Sequence, residues 1–172
     1  MVLSDYRVKG ILIELSDADL AKAKEVGDGR NAANTRSKDK PYYDRSRMEP
    51  DEIASFAAAA AECAVARALN QEWHAKVWPA SEHWQHKDEP DVGNNIEVRR
   101  LRFPHRPLAV RQKDIGKNKF IVLAYPLPET GYRFVDVIGW IDADEAWRIG
   151  TDSWAQTKDV PQSLLNSMVE ES

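Results

Sequence analysis

EPDEIASFAAAAAECAVARALNQEW, residues 49–73, is the stretch on which the fold turns. Pro50 suits a first helical turn, Asp51 and Glu52 follow it where acidic side chains favour the positive helix end, and Ile53, Phe56, Ala57, Ala60, Ala64, Ala68 and Leu69 recur at spacings of three and four. The spacing predicts a buried helix over residues 49–73, and its small side chains let the helix axis lie close to a sheet. Glu62 stands out in it, because no other acid lies between Glu52 and Glu72. It is either an exposed helical residue or a carboxylate placed for chemistry.

On the C-terminal side the pattern changes to strands. Residues 95–103 (NIEVRRLRF), 108–112 (LAVRQ), 119–125 (KFIVLAY) and 132–141 (YRFVDVIGWI) are separated by Pro104, Pro107, Gly116, Pro126, Pro128 and Gly131, and they read as an antiparallel meander, at least in part. Asp142 can cap a short helix over residues 144–149 that Gly150 ends, and residues 160–165 (VPQSLL) can dock back on the core before a frayed, polar tail. On the N-terminal side, residues 6–15 (YRVKGILIEL) suit a strand at a sheet edge. Ser16 then caps a helix over residues 17–26, with Asp17 and Asp19 in its first turn and Gly27 and Gly29 as its stop. Residues 28–47, a mixture of Asp, Asn, Lys and Arg around Tyr42 and Tyr43, read as a long polar loop. The expected class is α/β of a mixed, α+β-like kind, a central mixed β-sheet flanked by helices, in one domain spanning residues 1–172.

The bulk numbers agree with that expectation. A chain of 172 residues, 42% hydrophobic and 30% charged, can bury one core without disulfides and is not of a disordered composition. Cys63 is the only cysteine, so no disulfide forms within the chain and a reducing compartment is expected; in a packed helix it would be inert. The opening MVLSDYRVKG has no apolar signal region and no stretch approaches the roughly 18 apolar residues that span a bilayer, so a cytoplasmic protein without a membrane partner is expected. A net charge of −4 does not advertise nucleic-acid binding. A local run does: Arg99, Arg100, Arg102, His105, Arg106, Arg111 and Lys113 form either a solvated strand face or a phosphate-facing groove.

Chemistry concentrates in PDVGNNIEVR, residues 90–99. If Ile96 and Val98 enter the core, strand alternation puts Glu97 and Arg99 together on the other face. A turn through Gly93 and Asn94 can fold Asp91 back beside Glu97. Converging carboxylates repel, so such a pair implies a divalent metal or a raised pKa. The bland readings are an Asp that favours the turn after Pro90 and a Glu97–Arg99 charge pair on a solvated face.

The segment resembles the signature of the PD-(D/E)XK nuclease superfamily, with Asp91, Glu97 and Arg99 on the motif positions and Glu62 similar in placement to a glutamate that several branches add from the preceding core helix. The stretches AAECAVARALNQEW, PDVGNNIEVRR, PLAVRQKD, FVDVIGWIDADEAW and VPQSLL are similar to bacteriophage-encoded nuclease-like proteins, over residues 49–165. The resemblance implies a restriction-endonuclease-like core, DNA as partner, and Mg²⁺ or Mn²⁺ held by Glu62, Asp91, Glu97 and the Val98 carbonyl. Arg99 and Arg100 would hold phosphate oxygens, and Arg111 with Gln112 on the next strand would reach the same face. The activity expected is hydrolysis of DNA phosphodiester bonds, in host cytoplasm if phage-encoded. One departure bears on it: the superfamily's usual lysine is Arg99 here, a permanently charged phosphate binder and a poorer activator of water. The alternative is a nuclease fold without hydrolysis that serves as a nucleic-acid- or protein-binding, inhibitory module; a structural phage protein is a third class.

Other chemistries have weaker marks. His74, His83, His86 and His105 with a lone cysteine make no recognisable zinc set, and neither phosphate-loop pattern is present. Trp78 and Trp84 are candidates for base stacking, whereas Trp73, Trp140 and Trp147 sit in apolar patterns that suit a core.

Overall fold

The computed structural model of the protein describes residues 10–33, 49–86 and 88–169. Its centre is a four-stranded sheet made of β1 (Ile11–Glu14), β2 (Ile96–Arg100), β4 (Phe120–Pro126) and β5 (Phe134–Asp142), in the order β1-β5-β4-β2. β1 and β4 both run antiparallel to β5, while β2 runs parallel to β4, so the sheet is mixed. A second, antiparallel sheet joins β3 (Leu108–Arg111), β6 (Thr151–Asp152) and β7 (Thr157–Val160) in the order β3-β7-β6. The expected meander therefore holds only for β4 and β5. β3 leaves the central sheet because the turn-forming residues between Leu101 and Leu108 carry the chain to its other face, where Val160 of β7 pairs with Leu108.

Two helices, α1 (Asp17–Ala33) and α2 (Asp51–Leu69), cover one face of the central sheet. The α2 alanines make the close contact expected of them: Ala57, Ala59, Ala60, Ala61 and Ala64 are fully buried. α2 ends four residues earlier than the sequence suggests, at Asn70, whose left-handed backbone (φ 51°) turns its N–H onto the carbonyls of Ala66 and Arg67. Trp73 thus lies beyond the helix and bridges Val92.

α1 is longer than the sequence suggests. Gly27 and Gly29 do not stop it, and residues 28–33 of the expected loop are its last turns. The reason is packing: a Cβ at Gly27 would stand 2.8 Å from the Phe56 backbone, so this glycine is where α1 crosses α2. Residues 34–47 of the expected loop, with Tyr42 and Tyr43, and residues 6–9 of the expected first strand lie outside the described residues.

A short helix, α3 (His83–His86), precedes β2 in the chain. The opposite face of the sheet carries the second sheet and α4 (Ala143–Ile149), packed through Leu108, Val110, Ile121, Leu123, Ile141, Ala146 and Val160. A bulge between Leu123 and Ala124 shifts the register so that Ala124 faces Val137 and Leu123 faces Gly139. The extra residue, Ile138, enters this second core while Val135 and Val137 enter the first, so one strand serves two layers. Asp142 caps α4 by accepting from the N–H groups of Asp144 and Glu145 (2.9 and 3.1 Å), and Leu165 of the tail is buried in the same layer, both as the sequence suggests. Among the described residues no helix is long and apolar enough to cross a membrane.

Candidate functional site

Asp91 sits on a tight turn whose geometry follows from Gly93. With φ +58°, Gly93 adopts a backbone that L side chains rarely take, and the N–H groups of Asp91 and Val92 both reach the Ile96 carbonyl (2.9 and 3.2 Å). The turn folds the Asp91 carboxylate against the outer edge of β2, where Oδ2 accepts from the Val98 N–H at 2.8 Å. Ile96 and Val98 pack into the core under α2, so Glu97 and Arg99 leave the opposite side of the strand.

Glu62, Asp91 and Glu97 line one cleft of about 250 Å³, together with Arg30, His74 and Lys76. Burial, then the charges of Glu62 and Glu97, push the Asp91 carboxyl up to about 7, against 3.8 for a free side chain. At neutral pH this carboxylate is thus only partly ionised although it lies among polar groups.

Each flanking carboxylate has its own cation. Glu62, only 7% exposed, is gripped by the Arg30 guanidinium through two bonds of 2.7 and 2.9 Å, and the Trp73 indole N–H donates to it at 3.1 Å. Arg30 is anchored in turn by its Nε to the Lys76 carbonyl at 3.0 Å. Burial works against the Arg30 charge, yet the Glu62 carboxylate more than offsets this and holds the guanidinium above its ordinary value. Glu97 accepts from the Lys119 ammonium at 2.6 Å and lies 3.6 Å from the Arg99 guanidinium. Lys119, 7% exposed, stands just before β4, which the parallel pairing lays beside β2.

Glu97 is also a wall of a second cleft of about 250 Å³, on the other side of β2. Its lining is basic: Arg99, Arg111, Lys113, Lys117 and Lys119, with Asp114 as the remaining acid. Asp114 is buried, which alone would raise its pKa, but the Arg99 guanidinium at 2.7 Å and the Arg111 backbone N–H at 2.9 Å hold it below the ordinary carboxylate range. Arg99 is thereby pinned between two carboxylates.

The structure gathers Glu62, Asp91, Glu97 and Arg99 around the start of β2, and it brings Arg111 to the basic side. It does not bring the others. Arg100 turns to the opposite face of β2 and forms a bidentate pair with Glu49 at the start of α2, because alternation separates it from Arg99. Gln112 lies in the short turn Gln112–Asp114 that follows β3, not on a strand next to β2, and lines a neighbouring cleft. Val98 contributes its N–H to Asp91. Arg30 and Lys119, which the sequence did not single out, complete the charge arrangement. Arg30 was hidden in a region read as loop; Lys119 carried a visible signal, a lysine immediately before an apolar strand, but nothing local said which strand lay beside it.

His74 Nε2 bonds the Gly93 carbonyl at 2.6 Å and His86 Nδ1 bonds Glu89 at 3.0 Å. Among the described residues, no three His, Cys, Asp or Glu side chains as they stand are arranged to hold a metal ion. Trp78 is stacked on His86, ring centroids 3.4 Å apart, with Lys76 above it at 5.5 Å, so its faces are engaged. Cys63 is buried, which with nearby Asp19 pushes its thiol up to about 11 and keeps it unreactive at neutral pH. Comparison with protein families, with curated proteins and with solved structures finds no match to this chain.

Proposed function

We propose that this chain is a metal-dependent nuclease of the PD-(D/E)XK kind, with a restriction-endonuclease-like core, hydrolysing DNA phosphodiester bonds. The observation that carries the reading is Asp91, folded against β2 between Glu62 and Glu97 and raised to about 7 by burial and by those two charges. Crowded carboxylates of this kind carry an electrostatic deficit that a divalent cation removes. Asp91 and Glu97 fit Mg²⁺ or Mn²⁺ by donor chemistry, and Glu62 joins them only if Arg30 yields. Such an ion, when bound, polarises a phosphodiester and lowers the pKa of a water molecule.

The chain's own residues supply the rest. Lys119 puts an ammonium on the Glu97 carboxylate, so the lysine absent from position 99 has a counterpart just before the neighbouring strand. Arg99 and Arg111 offer guanidinium groups to phosphate oxygens on the basic side of Glu97. Arg30 fixes the direction of Glu62.

One observation favours the second reading, a binding or inhibitory module without hydrolysis: Glu62 and Glu97 are already neutralised by Arg30 and Lys119. The two readings separate in one experiment. The purified protein and a Glu97→Ala variant are incubated with single- and double-stranded DNA in Mg²⁺ or Mn²⁺ and the products run on a gel. Cleavage by the wild type alone supports the nuclease; no cleavage by either transfers the case to the binding module.

A further inference from the structure

The basic cleft does not end at Lys113. Arg111 and Lys113 are shared with a third cleft of about 350 Å³ that continues over the second sheet to the hairpin between β6 and β7, where Trp154, Gln156 and Thr157 form its far wall. Trp154 is 73% exposed, the most exposed of the large hydrophobic side chains described. Its position is fixed by a tight turn: the Thr157 N–H bonds the Trp154 carbonyl at 3.0 Å, and the Gln112 N–H bonds the Gln156 carbonyl at 3.0 Å. Ala155 (φ 39°) and Gln156 (φ 59°) both take the left-handed conformation that such a turn demands and that Gly or Asn would adopt more easily. A strained turn thus holds a large aromatic ring in water beside two exposed cations that make no ion pair among the described residues.

Each of these features has its own meaning for a ligand. An exposed indole next to basic side chains suits a base with its flanking phosphates, since every base has a face to stack and the chain linking bases is anionic. A duplex keeps its bases stacked on one another and offers no face to Trp154. We propose that this groove binds single-stranded DNA, with a base stacked on Trp154 and adjoining phosphates on Arg111 and Lys113, leading the strand toward the cleft walled by Glu97. The choice of DNA rests on the nuclease reading above; the binding itself requires no metal.

The test is fluorescence anisotropy with a short labelled strand of mixed sequence and with the same strand in a duplex, in EDTA, for the wild type, Trp154→Ala and Lys113→Ala. Circular dichroism verifies that both variants fold, as the exposure of the two side chains requires. The wild type is expected to bind the single strand at least about tenfold more tightly than the duplex. Trp154→Ala weakens single-strand binding about 5- to 100-fold, and Lys113→Ala weakens it severalfold and lowers the salt slope by about 0.7. No single-strand binding by the wild type, equal binding of the duplex, or unchanged affinity in Trp154→Ala overturns the groove. Single strands bound in EDTA but left uncut in Mg²⁺ uphold the groove and remove the nuclease; single strands cut equally well by wild type and Trp154→Ala do the reverse.

Discussion

Replacing Asp91 by asparagine should make the protein more stable at pH 8 and leave it nearly unchanged near pH 4. In the fold the carboxyl keeps its proton up to about pH 7, whereas the free side chain releases it near 3.8. Between those values folding takes up a proton, so stability falls as pH rises, and the full penalty is present above about 7. At about 1.36 kcal/mol per pH unit, that interval is a ceiling of about 4 kcal/mol. Relaxation around a charged site lowers it, and an asparagine keeps the shape and can still accept the Val98 N–H; a gain of about 1 to 3 kcal/mol is expected at pH 8. For a chain of this size that is a rise of about 3–10 °C in Tm. Thermal unfolding followed by circular dichroism at pH 4, 6 and 8 gives the comparison, repeated with Mg²⁺ at pH 8, where the wild type should gain stability and Asp91→Asn should not. A stability difference that is the same at all three pH values, or an asparagine variant that is the less stable at pH 8, refutes the reasoning.

Three further outcomes are expected. Glu62→Gln leaves the Arg30 guanidinium half-buried without its counter-charge and should cost about 2 kcal/mol in urea unfolding, while Glu62→Leu with Arg30→Met recovers most of the loss; a cost near zero in the single variant contradicts the clamp. Lys119→Met should abolish Mg²⁺-dependent cleavage and destabilise the fold by about 1 to 3 kcal/mol by stranding Glu97, and a variant that cuts as well as wild type removes Lys119 from the site. Gln156→Gly relieves a left-handed residue in the β6–β7 turn and should raise Tm by about 2–4 °C, roughly 1 kcal/mol; a lower Tm would mean the turn is not built this way.

Local pattern announces what local physics decides. The α2 alanines betray a helix buried at a sheet, and Glu62 is visible because a solitary acid interrupts them. The turn at Gly93 and the alternation through Ile96, Glu97 and Val98 place Asp91 and Glu97 correctly for the same reason: a few adjacent bonds determine both. Gly27 misleads, because a helix-ending glycine and a glycine at a helix crossing look alike until Phe56 is known to lie against it. The parallel pairing of β2 with β4 cannot be read from either strand, since it depends on the chain between them passing through the second sheet. Lys119 and Arg111 reach the site through that long-range route, and Arg30 through the helix crossing. Arg30 and Lys119 were harder to foresee than the carboxylates because each arrives from a distant segment.

The bond from Val98 to Asp91 has a meaning that does not involve catalysis. β2 is the last strand of its sheet, and a terminal strand with bare N–H groups invites a second chain to pair with it and aggregate. Here Val92 bridges back to Ile96 and the Asp91 carboxylate takes the next outward N–H, so the turn works as a selvedge that stops the sheet from growing. Loss of the Asp91 charge and loss of the edge seal are therefore separable by the choice of substitute. An amide preserves the seal, whereas an alanine opens the edge and invites self-association at high concentration.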